Sequence, residues 1–85
     1  MSEFFYPKIE SVTALKPWTV RTVWNTGESF DVDLSKQMKK KAFSEIRKPE
    51  IFKTVHLQYG CIEWFDTELG DDNVYAWAKE QSGEV

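Results

Sequence analysis

Hydrophobic and polar residues alternate along two neighbouring stretches within residues 18–34, and alternation at period two is typical of half-buried β-strands. Asn25 and Gly27 lie between the stretches, and both residue types adopt the positive φ that a hairpin turn needs. The pattern therefore predicts a β-hairpin, around which we expect the fold to be organised. One face of its arms carries Trp18, Val20, Thr22, Trp24, Phe30, Val32 and Leu34.

Further strands are predicted before and after this hairpin. The apolar positions in residues 7–15 are unevenly spaced, which indicates a short strand with a bulge or an early bend. Residues 55–59 and 61–65 alternate on either side of Gly60, and this pattern predicts a second hairpin. An acidic loop is expected over residues 66–72.

Two helices are predicted from apolar residues that recur every three or four positions. The first has Ser35 as its N-cap and ends at Pro49, which also suits the first residue of a second short turn. The second is expected to be capped by Asp71 or Asp72. The buried stripe of the first helix is Met38, Ala42, Phe43 and Ile46, and that of the second is Val74, Trp77 and Ala78.

The order of these elements predicts one small α+β domain over residues 1–85. We expect two layers, namely a mostly antiparallel sheet of about five strands with the helices on one face. The expected order along the chain is β-β-β-α-β-β-α. Residues 1–6 are expected to form a flexible or partner-contacting segment, and residues 81–85 a frayed tail.

The composition adds two expectations. Four Trp, six Phe and three Tyr are many for 85 residues, and such rings fill either a small core or an interface with another protein. The single cysteine, Cys61, forms no internal disulfide, which favours a cytoplasmic location. No apolar run approaches the roughly 20 residues of a membrane span, and the first ten residues lack the pattern of a signal peptide. We therefore expect no membrane association.

The net charge of −3 is unevenly distributed along the chain. Residues 36–53 contain seven basic and two acidic side chains, so they carry +5 and the remaining residues carry −8. A basic stretch of this kind is a solvated face, a surface for a protein partner or a contact to nucleic-acid phosphates. The candidate partner-binding or nucleic-acid-binding residues are Lys39, Lys40, Lys41, Arg47 and Lys48.

Residues with catalytic or metal-binding chemistry are few. His56 and Cys61 are expected on the same face of the second hairpin, but a Cys–His nucleophile also needs an orienting acid and an oxyanion hole. The acidic residues 66–72 lack the spacing of a calcium-binding loop, and a zinc site needs more His or Cys than the chain has. We therefore expect no catalytic residues, no metal and no cofactor, and hence not an enzyme.

Four segments together resemble a known bacterial family, the domain of unknown function 2442 (DUF2442). The resemblance implies a compact α+β fold without an established activity. It also implies an accessory or regulatory role, since some members are encoded beside a small partner protein, as in a toxin–antitoxin pair. The segments are PKIESV at 7–12, NTGE at 25–28 followed by DLS at 33–35, FSEIRKPEIFKTV at 43–55, and IEW at 62–64 followed by EL at 68–69 and VY at 74–75.

The preferred function is therefore a small non-enzymatic protein-binding or regulatory module. Its partner would be a second copy of itself, a larger regulator or, following the family resemblance, the toxin-like product of a neighbouring gene. The alternative is a nucleic-acid-binding accessory protein that uses the basic residues between 36 and 53.

Overall fold

The computed structural model describes residues 7–64 and 67–83. Its strands form two antiparallel three-stranded sheets, in the orders β1-β2-β3 and β4-β5-β6. The α+β class and the antiparallel pairing predicted from the sequence are thus confirmed. The strands form two sheets of three, where one sheet of about five strands was expected. The strands are β1 Ile9–Lys16, β2 Thr19–Trp24, β3 Ser29–Asp33, β4 His56–Gln58, β5 Cys61–Trp64 and β6 Thr67–Leu69. The helices are α1 Ser35–Met38, a 3₁₀ turn at Lys41–Phe43, α2 Pro49–Phe52 and α3 Asp71–Ser82.

The first sheet contains the hairpin predicted over residues 18–34. Val20 pairs with Val32 across β2 and β3, and both are fully buried. Gly27 supplies the left-handed backbone of the turn, with φ 92°. The irregularity predicted in the first strand is also confirmed, because the pairing of β1 with β2 shifts register between Ala14 and Lys16.

The second sheet contains the second predicted hairpin and one strand that the sequence analysis missed. Leu57 pairs with Ile62, and the two-residue turn between β4 and β5 is Tyr59-Gly60. The segment predicted as an acidic loop contains β6, in which Leu69 pairs with Ile62. A strand of three residues is too short for an alternating pattern to be recognised, and tertiary pairing decides its conformation.

The prediction of one continuous helix between residues 35 and 49 is wrong. Lys40 has an extended backbone (ψ 145°) that separates α1 from the 3₁₀ turn, and Ala42 of the predicted buried stripe is exposed. Met38 and Ile46 are nevertheless buried, as predicted. Met38 reaches the core from α1 and Ile46 from the turn between Phe43 and Pro49, so the core does not require a single helix.

The helix starts also differ from the prediction. Leu34, not Ser35, occupies the N-cap position of α1, and the side chain of Asp33 accepts a hydrogen bond from the Ser35 N–H at 2.8 Å. Gly70 occupies the N-cap position of α3, so Asp71 and Asp72 lie in its first turn. Negative charge there still interacts favourably with the helix dipole.

The last helix packs its predicted stripe against the first sheet. Val74 and Ala78 are buried, Trp77 is half-buried, and the ring of Tyr75 meets Trp24 edge-on with centroids 4.9 Å apart. The helix is longer than expected, because Gln81, which we assigned to a frayed tail, is helical and bonded to the main chain of Asp33. Residues 84–85 of that tail and the N-terminal segment 1–6 lie outside the described residues.

Both sheets contribute to one hydrophobic core. The indole N–H of Trp24 donates to the Thr22 hydroxyl at 2.8 Å, and that of Trp64 donates to the Phe52 carbonyl at 2.8 Å. These bonds satisfy the polar atoms of two rings that are almost fully buried, which is the condition for placing Trp in a core. Residues 36–53 belong to the segment that connects the two sheets, and their basic side chains are exposed to solvent.

Candidate binding surface

The basic segment, residues 36–53, runs along the surface between β3 and β4. The five candidate residues are all exposed, and so are Lys36 and Lys53. The backbone of the segment is anchored in the core, because the side chains of Met38, Ile46 and Phe52 are buried there. The segment therefore presents its positive charges to solvent from a backbone that is anchored in the core. The candidate residues are Lys39 at the end of α1, Lys40 and Lys41 at the 3₁₀ turn, and Arg47 and Lys48 just before α2.

A tertiary hydrogen bond fixes the middle of this segment. The indole Nε1 of Trp18 donates to the main-chain oxygen of Arg47 at 3.1 Å. Trp18 itself has a left-handed backbone, with φ 71°, in the turn between β1 and β2. Bulky residues rarely adopt this conformation, so the contacts of the ring must outweigh the backbone strain.

Electrostatic pairing inside the segment is weak. Among its described side chains, Lys48 and Glu45 form an ion pair at 3.6 Å, and both are mostly exposed. Exposed pairs of this kind contribute about 0–1 kcal/mol and are screened by salt. The positive charge of the segment therefore stays largely available to an external anionic group.

An apolar cleft of about 220 Å³ opens beside the basic segment, between the end of β1 and the start of α2. Its walls include Leu15, which is 43% exposed, and Phe52, which is 1% exposed. The lining also includes two prolines and two lysines, namely Pro17, Pro49, Lys16 and Lys53. The cleft thus combines an apolar interior with a basic rim.

The structure places His56 and Cys61 on one face of the second sheet but does not make them a catalytic pair. The pairing register sets Glu63 opposite His56 and Gln58 opposite Cys61. His56 Nδ1 lies 3.1 Å from the Thr54 carbonyl oxygen, and Nε2 lies 2.9 Å from Glu63 Oε1. Both ring nitrogens therefore have partners other than the thiol.

The surroundings of His56 favour its protonated form. The Thr54 carbonyl, and after it the Glu63 carboxylate, raise the pKa of His56 above the ordinary value of 6.5. Only the protonated ring can donate to both oxygens at once. This arrangement is an exposed ion pair across two strands.

Two further sequence expectations concern metals and membranes. Within residues 7–64 and 67–83, no three His, Cys, Asp or Glu side chains are placed to hold a metal ion. Asp66, the first residue of the predicted acidic loop, lies outside the described residues. In the same ranges, no helix has the length and hydropathy needed to cross a membrane.

Sequence reasoning missed two exposed apolar residues, Leu15 and Tyr59. Leu15 lies at the register shift of β1 and reaches the cleft only because tertiary structure brings α2 beside it. Tyr59 is 95% exposed at the tip of the second hairpin and has φ 52°. The dipeptide Tyr59-Gly60 did signal the turn, but not that the aromatic residue takes the left-handed position.

Comparison with solved structures gives a match over the whole of this chain. It is the crystal structure of a protein from Nitrosomonas europaea that is described as a "putative DNA binding protein". The sequences are 51% identical, the match covers 100% of this chain, and the TM-score is 0.89. The chain spans 57% of the length of that protein. No protein-family model and no curated protein matches the chain, so the resemblance to DUF2442 remains a hypothesis, whereas the small α+β fold is confirmed.

Proposed function

We propose that this chain is a non-enzymatic protein-binding or regulatory module of the cytoplasm. The observation that supports this proposal is the placement of the apolar cleft beside the basic segment. Protein interfaces combine an apolar centre with a polar rim, whereas binding to nucleic-acid phosphates requires only the positive charges. An overall charge of −3 also weakens attraction to a nucleic acid.

Nucleic-acid binding through the basic segment is the second candidate. It is favoured by the description of the Nitrosomonas europaea protein and by the exposure of Lys39, Lys40, Lys41, Arg47 and Lys48. That protein is longer than this chain, so the DNA binding that its description names belongs either to the matched part or to the remainder. Only the first case would apply to this chain.

A more specific version of the protein-binding proposal comes from the resemblance to DUF2442. It makes the partner a small toxin-like protein that is encoded beside this chain, with this chain in the antitoxin-like role. Co-expression of the two proteins tests it, with an affinity tag on this chain. A complex that stays intact in size-exclusion chromatography supports this version, and separate elution contradicts it.

The experiment that separates the two candidates uses matched charge variants. The test variant combines Lys39→Gln, Lys40→Gln and Lys41→Gln. The control variant makes the same change in net charge at exposed positions elsewhere, namely Gln58→Glu, Asn73→Asp and Ala76→Glu. Each variant is tested for the co-expressed partner and for a random-sequence DNA duplex at about 50 mM salt, where phosphate contacts are strongest.

The protein-binding proposal predicts that the test variant loses the partner protein, that the control variant retains it, and that neither binds DNA. Salt-sensitive DNA binding that only the test variant loses would support the second candidate instead. Loss of the partner in both variants would show that net charge, and not the basic segment, governs the interaction.

A further inference from the structure

The apolar cleft lies between two parts of the chain that are far apart in sequence. Leu15 and Pro17 come from the end of β1 and the following turn, and Pro49 and Phe52 come from α2. Leu15 is the residue that β1 leaves without a partner on β2 at the register shift between Ala14 and Lys16. A bulge re-aims side chains in this way, so an exposed leucine faces the cleft.

The walls of the cleft are constrained on both sides. Pro17 and Pro49 have a fixed φ and carry no backbone N–H, so neither wall offers a polar donor at that position. The hydrogen bond from Trp18 Nε1 to the Arg47 oxygen joins the residue after Pro17 to a residue just before Pro49. This bond connects the two walls at the cleft, which is therefore formed before a ligand arrives.

The rim of the cleft is positively charged. Lys16 and Lys53 line it, both are exposed, and Arg47 and Lys48 directly precede Pro49. Part of this charge is offset nearby, since Lys48 pairs with Glu45 and Lys16 is within electrostatic reach of Asp31 and Asp33. Asp31 in turn pairs with Arg21 at 2.9 Å. Glu50, which follows Pro49 in α2, offsets one further positive charge. The four basic side chains around the cleft still outnumber the three remaining acidic ones, which leaves a net basic rim.

This combination selects one class of ligand. An unstacked base of a nucleic acid would need an exposed aromatic face in the cleft, and Phe52, the aromatic side chain there, is 1% exposed. A neutral apolar ligand would gain nothing from the lysines. A peptide with a large apolar residue between acidic ones matches both the interior and the rim.

We propose that the cleft formed by Leu15, Pro17, Pro49 and Phe52 binds an acidic peptide segment of a partner protein, with one apolar side chain of that segment inserted between Lys16 and Lys53. This inference rests on the proposed protein-binding function and names the kind of segment that is bound. The apolar side chain supplies the anchor, and the flanking carboxylates pair with the two lysines.

The test uses synthetic peptides and nitrogen-15 NMR of the whole chain. The probe is an acetylated and amidated Asp-Asp-Leu-Asp-Asp peptide. One control peptide replaces Leu by Ser, and the other replaces every Asp by Lys. We expect amide shifts at Leu15, Lys16 and Lys53 with the probe. Loss of the apolar anchor should weaken binding about ten-fold or more, as for other buried interface anchors.

Matched variants of the protein sharpen the test. Leu15→Asp and the pair Lys16→Glu with Lys53→Glu should each abolish the shifts. The combination of Lys8→Glu, Gln58→Glu and Asn73→Asp makes the same charge change at exposed positions outside the cleft and the basic segment. It should weaken binding by no more than about three-fold, since separated exposed charges are screened by salt. Leu15→Ser serves as a second anchor variant if Leu15→Asp shows an altered NMR spectrum before peptide is added.

Several outcomes would overturn the inference. If the Ser peptide binds as tightly as the Leu peptide, no apolar side chain is inserted into the cleft. Amide shifts confined to residues 39–41 would place the binding site outside the cleft. A dimer in sedimentation that Leu15→Asp dissociates would make a second copy of this chain the occupant of the cleft.

If the co-expressed partner still binds the Leu15→Asp variant, the inference fails while the proposed function stands. If no variant of the basic segment affects a partner complex, the proposed function fails.

Discussion

The side chain of Trp18 is hydrogen-bonded to the main chain of Arg47, 29 residues away in sequence, with an Nε1 to oxygen distance of 3.1 Å. Arg47 belongs to the basic segment and Trp18 to the turn between the first two strands. The bond therefore couples the position of the basic side chains to the first sheet. It also explains why a bulky residue is kept at φ 71°, where glycine or asparagine would be favoured.

Replacing Trp18 by Phe tests this coupling. Phenylalanine keeps an aromatic ring but loses the indole N–H and the five-membered ring. Beyond the packing loss that the control measures, we expect the free energy of unfolding to fall by about 1 kcal/mol, the usual net value of such a bond. Urea denaturation measures the change, and NMR should show altered amides around Arg47. Trp77→Phe is the matched control, because Trp77 is also half-buried and no described hydrogen bond involves its indole. Equal losses in both variants would contradict a specific role for the bond.

Tyr59 is the second aromatic residue with a left-handed backbone, and its strain has no such compensation. The side chain is 95% exposed, and no hydrogen bond of its hydroxyl is found among the described residues. Replacing Tyr59 by Asn should therefore raise the free energy of unfolding by about 1 kcal/mol, since Asn tolerates this conformation. Thermal denaturation would measure the gain. An unchanged or lower melting temperature would show that the tyrosine ring makes a stabilising contact.

The neighbouring Gly60 provides the control for this turn. Its φ is 81°, and an added Cβ would meet no atom within 4 Å. Gly60→Ala should therefore destabilise the protein by about 1 kcal/mol through backbone conformation alone. If Tyr59→Asn raises the free energy of unfolding and Gly60→Ala lowers it, both positions of the turn require a residue that tolerates the left-handed backbone conformation.

His56 is expected to make stability depend on pH. Its pKa is raised in the folded protein by the Thr54 carbonyl and by Glu63. The folded state therefore binds a proton more tightly than the unfolded state does. The stabilising contribution is fully present below the ordinary pKa of 6.5 and is lost as the pH rises through the folded-state pKa.

Urea denaturation at a series of pH values from acidic to alkaline, together with NMR titration of the His56 ring, tests this expectation. The difference in unfolding free energy between the wild type and His56→Gln should shrink as the pH rises through the measured pKa. Glu63→Gln should lower that pKa only in part, because the Thr54 carbonyl remains. A wild-type pKa at or below 6.5 would contradict the prediction.

The sequence was most informative where a side-chain pattern reports directly on burial. Alternation in residues 18–34 correctly predicted that Val20, Trp24 and Val32 are buried, because one face of that hairpin forms the core. The four-residue spacing of Met38, Ala42 and Ile46 was misleading. Two of these three residues are buried, but the extended backbone at Lys40 ends the helical run. Met38 therefore lies in α1, whereas Ile46 lies in the turn before α2.

The candidate site was predictable only in part. The positive charge of residues 36–53 is visible in the sequence, and the structure places its five candidate residues on the surface. The apolar cleft beside them was not predictable, because it requires Leu15 and Pro17 to lie next to Pro49 and Phe52. That proximity arises from tertiary packing and from the bond between Trp18 and Arg47, and no local pattern encodes either.

Gln81 provides a direct test of how the last helix is attached to the first sheet. Its side-chain oxygen accepts a hydrogen bond from the Asp33 N–H at 2.8 Å, and its side-chain nitrogen donates to the Asp33 carbonyl at 2.8 Å. Because β3 is an edge strand, these two bonds satisfy backbone groups that no neighbouring strand pairs. The amide therefore substitutes for one residue of a missing strand.

Gln81→Ala removes both bonds and should lower the free energy of unfolding by about 1–2 kcal/mol, less than two isolated bonds would suggest because water can replace the amide at this exposed position. Glu80→Ala is the matched control, since Glu80 is an exposed neighbour on the same helix. Hydrogen exchange should show faster exchange of the Asp33 amide in Gln81→Ala only. If the Asp33 amide is equally protected in both variants, Gln81 does not attach α3 to the edge of the sheet.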